Sequence, residues 1–160
     1  MTNIIPEGYA SAIGEMVLSA SRIDSVITDL LAIWSETNIV NAIVSFSHFQ
    51  PSSKIDTLLA LYSIADDDKG ERKSLLPNLL KQVRDHFDFR NSIVHAYWTV
   101  DDNGIVSTVR FSARGKFTRT KKPVPLEEIL QRIDSMNEAE RLLRGLRDHM
   151  HRQIQDDKAE

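Results

Sequence analysis

Apolar residues recur at steps of three and four across the early part of the chain, at Ile13, Met16, Val17, Ala20, Ile23, Ile27, Leu30, Leu31 and Trp34. That spacing lays one stripe along a helix of about seven turns. A stripe so long has to be covered by other elements, which commits the chain to helix-on-helix packing. Pro6 and Glu7 suit the first turn of this helix. The same period continues downstream. Asn38 is placed to cap a short second helix carrying Ile39, Ile43, Val44 and Phe46. Pro51-Ser52-Ser53 then breaks the chain, and Ser53 is the expected N-cap of a third helix, Lys54 to Ala65, with Ile55, Leu58, Leu59 and Tyr62 as its stripe. A fourth helix has Pro77 near its start and Leu76, Leu79, Leu80, Val83 and Phe87 on its core side. A last one runs from about Leu126 to Ile154 and buries Leu126, Ile129, Leu130, Ile133, Met136, Leu143, Leu146 and Met150.

Between the last two helices the pattern changes. Thr99-Val100, the turn Asp101-Asp102-Asn103-Gly104 and the run Ile105 to Phe111 read as a β-hairpin, because Asn-Gly between β-branched residues favours a tight reversal. Gly115 and a basic stretch carry the excursion on to Pro123 and Pro125. The expected fold is therefore all-α, a four- to five-helix bundle with a β-hairpin inserted around residues 99–122, in one domain spanning 1–160. A hydrophobic share of 41% with 27% charged residues suits a packed core and not a disordered chain.

Several site chemistries are excluded or disfavoured at once. With no cysteine there is no disulfide and no thiolate–metal site. The glycines are scattered singly, so no phosphate-binding loop is present. Asp66-Asp67-Asp68 reads as a solvated loop, and His149 and His151, about 200° apart on a helix, make a poor metal pair. Ser45, Ser47 and His48 lack the context of a nucleophile elbow. No metal or other cofactor is expected. Neither a signal peptide nor a membrane-spanning run is apparent, so a cytoplasmic protein without a membrane partner is expected.

Charge is unevenly spread. The net charge is −3, yet six basic residues and no acid lie between Arg110 and Lys122. The other 14 basic and 23 acidic residues leave the remainder at −9. Phe111 and Phe117 are interleaved with Arg110, Arg114, Lys116 and Arg119, a mixture suited to phosphate contacts and base stacking. The same composition also suits a hairpin kept soluble and protected at its edge by its cations, or one that docks on an acidic partner.

The most informative stretch is Phe87-Asp88-Phe89-Arg90-Asn91-Ser92-Ile93-Val94-His95-Ala96-Tyr97-Trp98. Arg90 continues the core stripe through Val83 and Phe87 to Val94 and Tyr97, where a charge is expensive unless paired. It is either pinned by a carboxylate such as Asp24, Asp29 or Asp56, or it faces a cleft where a ligand phosphate completes it. Arg84, Asp88, Asn91 and His95 form the neighbouring polar stripe. His95 is either a surface histidine near a helix C-terminus or a general acid/base. An ideal helix sets Arg90 and His95 about 140° apart, so they do not face each other by default. Asn91, one turn before His95 on the same face, could hydrogen-bond the imidazole or a phosphate oxygen.

Arg90-Asn91-Ser92-Ile93-Val94-His95 resembles the Arg-x4–6-His signature of HEPN domains, in the variant with a polar residue after the arginine. The longer form ending at Tyr97 looks like the motif of HEPN toxins paired with nucleotidyltransferase antitoxins. The resemblance covers the helical scaffold, about residues 7–98 and 125–154; the segment 99–122 departs from the compact toxin form. It implies a dimeric, metal-independent endoribonuclease of the toxin or phage-defence kind. Residues Arg90, His95 and Asn91 would be catalytic; the basic segment contributes independently of the resemblance, with Arg110, Arg114, Lys116 and Arg119 as the expected RNA-binding residues. Tyr97 would be either a rim aromatic or a modifiable tyrosine. The products would be a 2′,3′-cyclic phosphate and a 5′-hydroxyl, with DNA resistant for want of the 2′-hydroxyl. A homodimer and an antitoxin protein are the implied protein partners. The other implication is a catalytically silent HEPN module that binds RNA, nucleotide or a partner protein.

Overall fold

The computed structural model describes residues 5–65, 75–112 and 117–157. The aspartate run at 66–68, Arg114 and Lys116 lie outside them. In chain order the elements are α1 (Tyr9–Trp34), α2 (Ile39–Phe46), α3 (Pro51–Ala65), α4 (Leu75–Val94), β1 (Tyr97–Val100), β2 (Val106–Ser112), β3 (Thr118–Pro123) and α5 (Leu126–Asp157). The chain is thus mainly helical, with a small antiparallel sheet between α4 and α5. None of the described helices is long and apolar enough to cross a membrane.

The long stripe of α1 does what its spacing dictates. Met16, Ile23, Ile27, Leu30 and Leu31 are fully buried, and α1 touches every other helix, α5 most extensively. Full burial of each such side chain contributes about 1.5–3 kcal/mol. The helix begins later than Pro6 and Glu7 suggest, after Gly8 with φ 91°. A Cβ at Gly8 would stand 3.0 Å from Leu126, so the glycine serves both the backbone turn and the close approach of α5.

Asn38 does cap α2, its Oδ1 accepting from Asn41 N at 2.9 Å. Three of the four stripe residues of α2 nevertheless point outward: Ile39, Ile43 and Val44 are exposed, while Phe46 packs part-buried against the core and Ala42 is buried. Helix α3 starts at Pro51, not after Ser53. Proline fits a first helical position, where its missing N–H is not needed; Ser53 lies within the helix, its carbonyl accepting from Thr57 Oγ1. In α5, Leu130 is exposed while Ile129, Ile133, Met136 and Leu143 are buried.

The insertion is a three-stranded meander, one strand more than a hairpin, in the order β1-β2-β3. β1 begins at Tyr97, two residues before the expected start, and pairs Tyr97 with Val109 and Val100 with Val106. In the turn, Asp101 Oδ1 accepts from Asn103 N and Ile105 N, and Gly104 takes φ 77°. β2 pairs with β3 from Ser107↔Pro123 to Ser112↔Thr118. The first half of β2 is buried and the second half exposed, so the β2–β3 end projects from the helical body.

Three of the polar seams among the described residues tie the helices to one another. Between α1 and α3, buried Lys54 donates to Asp24 Oδ2 at 2.7 Å and to Thr28 Oγ1. Between α1 and α5, buried Glu140 accepts from Arg22 and Arg144, one guanidinium on each oxygen. Those two hydrogen bonds hold its carboxyl below the usual range despite a burial that pushes the other way. The third seam joins α4 to α5 at His86.

Candidate functional site

Helix α4 ends at Val94, and His95 and Ala96 form the turn into β1. The carbonyl of Ile93 accepts from Ala96 N and from the indole Nε1 of Trp98 at 3.1 Å. Trp98 also meets Tyr9 edge-on, at 5.8 Å between ring centroids, and Tyr9 donates to Val124 O. One aromatic thus stops the helix, anchors β1 and ties both to the start of α1. His95, just past the helix end, is exposed, and its imidazole makes no hydrogen bond among the described residues.

Arg90 lies within the last turns of α4 and is half-buried. The three carboxylates that could have pinned it are committed elsewhere: Asp24 to Lys54, Asp29 to Arg147 and Asp56 to Arg84. Among the described residues Arg90 has no carboxylate within ion-pair distance. Its Nη1 donates to Asn91 Oδ1 at 3.0 Å, and its Nε is buried with no hydrogen-bond partner among the described residues. A guanidinium held by a neutral amide, with a buried donor left over, has hydrogen-bonding capacity to spare for an anion.

The basic segment is divided by the pleat. Side chains alternate along each strand, so Phe111, Arg119 and Lys121 share one face with Tyr97 and Val109, while Arg110 shares the other with Thr120 and Thr108. Phe111 and Phe117 stack on each other, 6.0 Å between centroids and 23° between planes, and both are exposed. Lys122 is paired with Glu128 of α5. Arg119 and Lys121 have no carboxylate partner among the described residues.

Topology brings the two halves of the candidate site together. β1 starts where α4 ends, and its first residue lies opposite Val109. β2 continues for three residues beyond Val109, so Phe111 and Arg119 overhang the end of the sheet at which His95 stands. Three residues of strand span about 10 Å.

The α4–α5 seam holds residues that the sequence motif does not include. His86 is 1% exposed; its Nδ1 lies 3.3 Å from Arg132 Nη1 and its Nε2 3.4 Å from Ser135 Oγ, which also accepts from Gln82. A guanidinium can only donate, so Nδ1 accepts, Nε2 carries the proton, and the ring is neutral. Its pKa falls to about 4, first through burial and then through the Arg132 charge, against a smaller opposing pull from Asp85. Arg132 also lies over the Phe89 ring, 4.7 Å from its centroid. The available signal was position: His86 is three residues beyond Val83 on the core stripe.

Comparison with protein-family models, with curated proteins and with solved structures finds no match to this chain.

Proposed function

We propose that the chain is a metal-independent endoribonuclease of the HEPN type, working through Arg90, Asn91 and His95. The supporting observation is Arg90. A half-buried guanidinium with no carboxylate partner among the described residues, Asp24, Asp29 and Asp56 being paired with Lys54, Arg147 and Arg84, fits a scissile phosphate better than a structural role. In this reading the ribose 2′-oxygen attacks phosphorus while its proton passes to a base, and the P–O5′ bond breaks as an acid protonates the leaving oxygen. His95 serves one of these steps. Arg90 stabilises the charge that grows on the phosphoryl oxygens, and Asn91 holds the guanidinium. Two copies about a two-fold axis would set His95 of one beside Arg90 of the other, removing the need for both to converge from one helix end.

The test is complementation. Arg90→Ala and His95→Ala each lower RNA cleavage by about 10²–10⁴-fold, in EDTA as without it. Mixing the two inactive variants restores a measurable fraction if the site is shared, because one of the two composite sites is then intact. Fragments ending in a 2′,3′-cyclic phosphate, and resistance of a strand with a 2′-deoxy residue at the cut, identify the reaction. Wild-type cleavage by the His95→Ala variant would sink the reading. A second reading, a silent module that binds RNA through the same surface, is favoured by the unanchored imidazole of His95, since a catalytic base is ordinarily oriented by a partner. It predicts RNA binding without cyclic-phosphate products.

A further inference from the structure

The Phe111–Phe117 pair is unusual for the surface it occupies. Each ring is more than half exposed, at 59% and 69%, on a strand end that projects from the helical body. The rings stack on one another and bury neither partner, so they add little to the core, and neither belongs to its buried cluster. Arg119 lies directly across from Phe111, and Lys121 follows two residues along on the same face. That spacing sets the two cations about 6.6 Å apart along the strand. Neither has a carboxylate partner among the described residues, while the chain outside the basic segment carries −9. The field of the molecule therefore steers anions to this end of the sheet.

We propose that the Phe111–Phe117 stack, with Arg119 and Lys121 on the same face, is a binding platform for single-stranded nucleic acid. Unpaired bases add to the outer faces of the two rings, and the phosphates between them meet the two cations. A protein partner matched to the cations alone would not require two stacked phenyl faces, and a duplex keeps its own base faces hidden. The overhang places this platform at the His95 end of the sheet, so a strand held there runs toward the α4 terminus. The inference goes beyond the cleavage reading and does not depend on it, because stacking makes no use of the 2′-hydroxyl.

A fluorescently labelled oligothymidylate of about 12 nucleotides, which the proposed reaction cannot cut, is the probe for anisotropy titration with the full chain. The single strand binds at least about tenfold more tightly than the same length of duplex. Phe111→Leu/Phe117→Leu keeps the apolar area and removes the π faces, and it weakens single-strand binding by about tenfold or more with an unchanged thermal midpoint. Arg119→Ala/Lys121→Ala flattens the slope of log affinity against log salt by about 1.4. Arg110→Ala, on the opposite face, has the smaller effect. Equal affinity for duplex, or full affinity in the leucine variant, overturns the proposal. Loss of cleavage in His95→Ala with unchanged oligothymidylate binding separates the two sites; binding without cleavage in the wild type upholds the platform and removes the nuclease.

Discussion

His86 and His95 belong to the same stretch of chain, and their surroundings are opposite. His86 is sealed between α4 and α5, neutral, with both ring nitrogens engaged and Arg132 braced against Phe89. His95 stands past the end of the helix, exposed, with its imidazole unengaged among the described residues. The arginines of α4 divide in the same way. Arg84 is paired with Asp56, whereas Arg90 leans on a neutral amide and keeps a buried donor in reserve. In the proposed reading, pairing and not residue type marks the difference: His86 and Arg84, engaged across helices, hold the fold, and His95 and Arg90, less engaged among the described residues, serve a ligand.

The sharpest way to break this contrast is a crossed pair of substitutions. On the proposed reading, His95→Ala lowers cleavage by about 10²–10⁴-fold and leaves folding stability within about 0.5 kcal/mol. His86→Ala does the reverse for stability. It opens a cavity and strips a partner from Arg132 and from Ser135, at a cost of about 2–4 kcal/mol in urea unfolding. Cleavage per folded molecule should survive it largely intact. If His86→Ala silenced cleavage in a fully folded sample, the seam would be part of the site and the contrast would fail.

A milder probe uses pH. The folded-state pKa of His86, about 4, lies below its ordinary value of 6.5, because burial and the Arg132 charge both oppose protonation. The unfolded chain therefore takes up the proton first as pH falls. Stability is fully present above pH 6.5 and is lost progressively down to about pH 4. The whole window is worth at most about 3 kcal/mol, less wherever water reaches the ring edge. Urea midpoints should fall between pH 7 and 5 in the wild type and fall less in His86→Gln. Carboxylate titration, Glu140 included, acts mainly below that range. Parallel curves for the two proteins would show that another group drives the loss.

How much of this was legible in the sequence follows from what each signal encodes. Periodicity marks a stripe and not its partner: it found α1 and the cap of α2, but left open that Ile39, Ile43 and Val44 would face outward. Competing local signals blurred one boundary, where Pro51 at the first helical position prevailed over Ser53 as a cap. β3 was hard to see as a strand because Thr118-Arg119-Thr120-Lys121-Lys122 alternates without an apolar face. At the site, the order Arg90-Asn91-x3-His95 could be read directly. Which acids would leave Arg90 unpaired could not, because Lys54, Arg84 and Arg147 meet Asp24, Asp56 and Asp29 only through tertiary contacts. His86 was concealed likewise, its partners Arg132 and Ser135 lying on a helix beyond the sheet.

The smallest effect sharpens the comparison most, because it tests pairing with helix and residue type held constant. Arg84 and Arg90 are both arginines of α4, but the Arg84–Asp56 pair is solvent-facing, with side chains 36% and 65% exposed. Exposed pairs of this kind contribute about 0–1 kcal/mol. Arg84→Ala should therefore shift the thermal midpoint by no more than about 3 °C in a domain of this size. It should leave the cleavage rate within about twofold of wild type, as expected of a charge whose partner is a surface carboxylate. Arg90→Ala, by contrast, should reduce cleavage by orders of magnitude. If the two substitutions impaired cleavage equally, basicity of α4 as a whole would be the relevant property, and an unpaired guanidinium at its last turns would no longer single out a phosphate site.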